Sequence, residues 1–178
     1  RLAKVLNKIL EPSQTCSVPE RDLYSNLFLT RDLIDYTNEK NVEGYLIAID
    51  QEKAFDKIDR GFLFKILKKL NLGKSFVRAI KQTMKNAQSL IINNGYLSAP
   101  FKIERGVRQG DPISLMLYCI AVETLALDFK NNKKIDGIPL PGTKTNLKVM
   151  QYADDTTVAA RDINSLEEIF KTLEKFER

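Results

Sequence analysis

Histidine is absent from all 178 residues. That gap removes Ser-His-Asp and Cys-His catalysis, zinc proteases and histidine-based nucleases together, and leaves carboxylate-metal chemistry as the main catalytic option. Cysteine is scarce as well. Cys16 and Cys119 stand far apart, build no disulfide framework and suit a reducing compartment, and each reads as a small buried apolar residue. No stretch is long and apolar enough to span a membrane, and no signal peptide, lipidation motif, internal repeat or low-complexity tract is visible.

What is present is a hydrophobic fraction of 43%, enough for a substantial core in one domain or two interleaved subdomains. A formal net charge of +5 favours a polyanionic partner. The chain starts at Arg1 without a methionine and stops inside a helical pattern, as expected of a piece of a longer polypeptide.

Leu2, Val5, Leu6 and Ile9 repeat at helical spacing and stop before Pro12, and a second amphipathic helix is expected over 22–40. Residues 45–50 read as a buried strand. Phe62, Leu63, Ile66, Leu67 and Leu70 mark one core-facing helix, and Phe76, Val77, Ile80 and Met84 mark another. Asn94-Gly95 signals a hairpin between 89–93 and 96–104. A helix is expected over 112–130, followed by strands over 147–152 and 156–160 that meet at an aspartate turn. Ser165 and Glu168 form a capping-box pattern opening a last helix, with Leu166, Ile169, Phe170 and Leu173 inward.

Three acidic residues stand out against this background: Asp50, which ends the run Tyr45-Leu46-Ile47-Ala48-Ile49, and the pair Asp154-Asp155. Each set closes a strand-like segment, where a sheet can hold carboxylates close together. Crowded carboxylates stay ionised only beside a cation, and hard oxygen ligands favour Mg²⁺ or Mn²⁺, which points to two-metal phosphoryl transfer. Taken alone, Asp-Asp between apolar residues is most often a solvated hairpin turn. The segment between the acidic sets changes that weighting. Arg105-Gly106-Val107-Arg108-Gln109-Gly110-Asp111-Pro112-Ile113-Ser114 offers glycines for close backbone approach and arginines for phosphate, with Asp111 as N-cap and Pro112 in the first helical turn.

In order along the chain, Ile49-Asp50-Gln51-Glu52-Lys53-Ala54-Phe55-Asp56, then Gly106 to Ser114, then Tyr152-Ala153-Asp154-Asp155-Thr156 resemble the A, B and C motifs of reverse transcriptases. They come closest to those of non-LTR (LINE-type) retrotransposons. Gln14-Thr15 with Glu20-Arg21 and Asn26 resembles the second fingers motif, and Ala87-Gln88 with Ile92-Asn93-Asn94-Gly95 the hairpin between A and B. Ser114 is followed by Leu115, where the family commonly has proline.

The resemblance implies an α+β polymerase palm, an antiparallel sheet backed by helices, with interleaved partial fingers and no thumb. The expected division is fingers over 1–44 and 58–112, and palm over 45–57 and 113–178. It implies an RNA-directed DNA polymerase that adds dNTPs to a DNA primer 3′-hydroxyl on an RNA template, using two Mg²⁺ ions, with Mn²⁺ a substitute. Asp50 and Asp154 would bridge the metals, Asp155 would lie more peripherally, and the Gln51 carbonyl would complete a shell. Lys53, Ala54, Gln109 and Gly110 would face the nucleotide, and Phe55 would lie under the sugar and exclude a 2′-hydroxyl. Arg105, Arg108, Tyr152 and Ala153 would contact nucleic acid or phosphate, while Asp56 reads equally as a structural residue. The implied setting is intracellular, a cytoplasmic ribonucleoprotein and the nucleus. The alternatives are an intron maturase-type reverse transcriptase and an inactive RNA-binding remnant; RNA-dependent RNA polymerases generally carry a polar residue at the Phe55 position.

Overall fold

A computed structural model describes residues 1–177 of the chain. The first part runs α1 (Ala3–Ile9), α2 (Leu23–Lys40), β1 (Tyr45–Ile49), α3 (Ala54–Lys57), α4 (Arg60–Lys69) and α5 (Lys74–Met84). Four short strands follow, β2 (Gln88–Ser89), β3 (Ile92–Asn93), β4 (Tyr96–Leu97) and β5 (Phe101–Lys102). The rest is α6 (Ser114–Asn131), β6 (Ile138–Pro139), β7 (Asn146–Leu147), β8 (Val149–Tyr152), β9 (Asp155–Ala160) and α7 (Ile163–Glu177). The mixture of helices and antiparallel sheet is the α+β class expected. Two compact units divide the chain, one of Arg1–Glu52 with the chain from Val122 on, the other of Lys53–Ala121.

The first unit is built on an antiparallel sheet of order β1-β9-β8. Its side chains alternate, and one face packs Met150 and Ala159 with Leu33, Ile138 and Leu147, against which Leu29, Leu46 and Leu140 close. Where a buried strand was expected, β1 is half exposed, with Tyr45 at 40%. It is the sheet's outer strand, so an apolar run that sequence alone assigns to the interior is covered from one side only.

Caps explain two further differences. Helix α7 starts at Ile163 because the Asp162 carboxylate accepts the Ser165 N–H at 2.7 Å, so Asp162 rather than Ser165 is the N-cap. Ser165 is buried instead, and its hydroxyl accepts the Asp136 N–H at 2.8 Å. Ile169 on this helix is fully buried, but Phe170 is 51% exposed. Helix α6 begins at Ser114, two residues later than expected, and Asp111 caps the turn before it by accepting the Ile113 N–H at 3.1 Å.

In the second unit, Asp59 caps α4 by accepting the Phe62 N–H at 2.6 Å. Leu63, Ile66 and Leu67 of α4 and Val77 and Ile80 of α5 are buried, at the spacing one helical face requires, whereas Phe62 remains 37% exposed. Asn94-Gly95 turns β3 into β4, and β2 pairs with β5 below it. Both cysteines are buried.

Candidate active site

Strand register sets the three acidic residues in place. Ile49 pairs with Thr156, so Asp50, the next residue, leaves the sheet beside Asp155, the first residue of β9. Tyr152 pairs with Asp155, leaving Ala153 and Asp154 as a two-residue hairpin loop. Ala153 holds a φ of 54°, whereas Asp154 is not among the positive-φ residues. That is the pattern of a II′ turn with alanine where glycine is usual. Tyr152 and Asp154 are half-buried, Ala153 is buried, and Asp50 and Asp155 are exposed.

Among the described residues, no hydrogen bond or ion pair engages the carboxylates of Asp50, Asp154 or Asp155. No three His, Cys, Asp or Glu side chains among these residues are drawn tightly enough together to enclose a metal. The strand register brings the backbone of all three to one end of the sheet. Carboxylate oxygens are hard donors, of the kind that suits Mg²⁺ or Mn²⁺. Gln51, half-buried, follows Asp50 directly.

The remaining predicted residues lie in the second unit, where the segment after Asp50 meets the glycine-arginine loop. Lys53 takes a left-handed φ of 53° and opens α3, its carbonyl accepting the N–H groups of Asp56 and Lys57 at 2.9 and 3.0 Å. Ala54 is buried. The half-buried ring of Phe55 stacks on Tyr118, centroids 4.7 Å apart and planes 18° apart. Backbone bonds then join the two segments: the Val107 N–H donates to the Phe55 carbonyl and the Gly106 N–H to the Ile58 carbonyl, both at 2.8 Å. Gly106 sits so close that an added Cβ would meet the Phe55 and Asp56 backbone at 2.7 to 2.8 Å.

From there the loop opens outward. Arg105, Arg108, Gln109 and Gly110 are all exposed. Asp56 is exposed too, on the first turn of α3. Two residues in this unit carry structural work that sequence reasoning missed. Tyr118 backs Phe55, and Arg60 spans four carbonyls, those of Ile103 (2.8 Å), Gly106 (2.9 Å), Arg105 (3.0 Å) and Met84 (3.1 Å). Nothing local distinguishes an arginine at the start of a helix from a solvated one, so only the fold reveals it.

A profile of the family described as reverse transcriptase (RNA-dependent DNA polymerase) matches residues 1–178. The chain belongs to this family. It is 35% identical, over 94% of its own length, to the Transposon TX1 uncharacterized 149 kDa protein of Xenopus laevis. It is 25% identical over 70% of its length to the Retrovirus-related Pol polyprotein from type-2 retrotransposable element R2DM of Drosophila melanogaster. These relatives agree with the non-LTR retrotransposon resemblance carried by the motifs. The chain spans only 13% and 12% of their lengths.

Among solved structures it resembles apo telomerase from Candida tropicalis, truncated from its C-terminal domain. The TM-score is 0.67 at 15% identity, covering 99% of this chain and 36% of that one. Telomerase from Candida albicans, in complex with a TWJ fragment of telomeric RNA, gives a TM-score of 0.66 at 13% identity over 97% of this chain and 31% of that one. At such identities the likeness is one of fold.

Proposed function

We propose that this chain carries the catalytic carboxylates of an RNA-directed DNA polymerase, which copies an RNA template by joining dNTPs to the 3′-hydroxyl of a DNA primer. The observation that carries this reading is the register that sets Asp50 beside the Asp154-Asp155 turn. Asp50, Asp154 and Asp155, with the Gln51 carbonyl, would hold Mg²⁺ or Mn²⁺. The ions would supply a lowered pKa for the attacking hydroxyl and charge neutralisation for the pyrophosphate that leaves.

The chain's own residues do the positioning. Exposed Arg105 and Arg108 offer guanidinium groups to phosphate, which a planar fork of donors suits. Gln109 and Gly110 follow on the same exposed loop, against the sugar and base of the nucleotide, and the Lys53 and Ala54 backbone faces its triphosphate. Tyr152 and Ala153, at the acidic turn, would contact nucleic acid or phosphate. Phe55, whose ring stacks on Tyr118, would lie under the sugar and exclude a 2′-hydroxyl. The enzyme works intracellularly, in a cytoplasmic ribonucleoprotein and in the nucleus, a setting that the scarcity of cysteine suits.

Primer extension by the full-length protein tests this. Extension with dNTPs on an RNA template, present with Mg²⁺ or Mn²⁺ and abolished by a chelator, is the expected result. Retained RNA binding without extension under any metal would mean a binding remnant instead.

A further inference from the structure

The alanine in the acidic turn has no side chain with which to hold itself in a left-handed conformation, so something else must hold it there. The segment before α2 supplies that contact. Residues 13–15 lie parallel to β8: the Gln151 N–H donates to the Ser13 carbonyl at 2.8 Å and the Thr15 N–H to the Gln151 carbonyl at 3.0 Å. This places the Gln14 side chain, fully buried, beneath the turn. Its Oε1 accepts the Cys16 N–H at 3.0 Å and the Ala153 N–H at 3.1 Å. Both partners are donors, which assigns the oxygen to that side of the amide.

The other half of the amide, Nε2, is buried and meets no hydrogen-bond partner among the described residues. The scaffold around it is stiff. Arg21 donates to the carbonyls of Leu10, Glu11 and Gln14, and the Asn26 amide bridges Thr15 Oγ1 and the Gln151 carbonyl.

We infer that Gln14 is a positioning residue: its side-chain oxygen pins the Ala153 N–H, and so fixes the direction in which the Asp154-Asp155 turn presents its carboxylates. The inference rests on the polymerase reading above for its consequence in catalysis, but not for its geometry. Without the acceptor the turn relaxes toward an ordinary negative φ at Ala153. The Asp154 carboxylate then moves relative to Asp50, and displacement on the order of 1 Å at a reacting centre is enough to slow chemistry by on the order of 100-fold.

The test compares the full-length protein with Gln14→Met, which keeps shape but removes the carbonyl acceptor, and Gln14→Glu, which keeps an acceptor. Hydrogen exchange at the Ala153 amide, followed without metal, should be slow in the wild type and in Gln14→Glu and at least about 10-fold faster in Gln14→Met. In metal-dependent extension, Gln14→Met should lower kcat by roughly 10- to 100-fold while KM for dNTP changes by less than about 3-fold. Its apparent affinity for Mn²⁺ should fall.

Rapid Ala153 exchange in the wild type overturns the inference even if neither variant folds. Folded variants that both lose protection, or a Gln14→Met that matches wild type in exchange and kcat, overturn it too. A wild type that extends no primer defeats the polymerase reading while the exchange data still decide the role of Gln14.

Discussion

Replacing Gly106 with alanine should unfasten the glycine-arginine loop from the segment that follows Asp50. Gly106 holds a φ of +76°, and a Cβ there would meet the Phe55 carbonyl oxygen at 2.7 Å and the Asp56 Cα and carbonyl oxygen at 2.8 Å. The left-handed conformation costs an L-residue about 1–2 kcal/mol. Relieving a clash with backbone, which cannot swing aside as a side-chain tip can, costs roughly 1–3 kcal/mol more. Alanine recovers about 0.4–1 kcal/mol by restricting the unfolded chain.

The net loss is about 1–5 kcal/mol, or a fall in Tm of roughly 2–18 °C for a chain of this size. Gly110 is the internal control. Its φ is +82°, yet nothing lies within 4 Å of a Cβ built there, so Gly110→Ala carries only the conformational term. Urea unfolding of both variants at a shared m-value isolates the clash as their difference, about 2 kcal/mol. Equal destabilisation by the two substitutions would refute the close approach of Gly106 to α3.

Arg60→Ala should destabilise by about 2–4 kcal/mol, since four carbonyls lose a charged donor, and Arg60→Lys should recover less than half because one ammonium cannot span them. Full stability in the lysine variant would contradict this. Burial raises the Glu123 carboxyl to about 7, against the pull of the Glu11 N–H, Arg21 and Lys130. The folded state therefore keeps a proton that the unfolded state releases above about 4.5. Stability falls as pH rises from there to about 7 and levels off beyond, a loss of about 3 kcal/mol that Glu123→Gln should lack. Parallel urea-stability profiles for the two proteins at pH 5 and 8 would remove Glu123 as the cause. Phe55→Ala in the full-length protein should lower the ratio of kcat/KM for dNTP over NTP by on the order of 10-fold or more, and an unchanged ratio would leave the Phe55–Tyr118 stack a packing contact only.

Much of this architecture is legible in the sequence because periodicity records which face of an element is covered. The spacing of Leu63, Ile66 and Leu67 gave α4, and Asn94-Gly95 gave the β3–β4 turn, each from local physics that tertiary context did not override. What periodicity does not record is how many neighbours an apolar run has. The β1 run reads as interior, yet the strand lies at the edge, and Phe62 and Phe170 sit on helical faces left partly open. Competing caps are equally hard to rank. Ser165-x-x-Glu168 is a good box on paper, but Asp162 reaches the same N–H first and frees Ser165 to bind across to Asp136. The acidic residues were visible as types at strand ends. Within each unit, the contacts of Arg60 with four carbonyls and of Gln14 with the Ala153 N–H depend on backbone groups far away in sequence, and no local pattern encodes those.

The central claim is that Asp50, Asp154 and Asp155 act together on a metal-dependent transfer. It is tested most directly by Asp154→Asn in the full-length protein, assayed for Mg²⁺-dependent extension and, in parallel, for binding to primer and template. An amide cannot replace an anionic ligand but leaves the basic surface intact. Extension reduced by at least about 1000-fold with binding within about 2-fold of wild type is the expected result. Extension at the wild-type rate would contradict the account, because the register that gathers these carboxylates would then have no catalytic use.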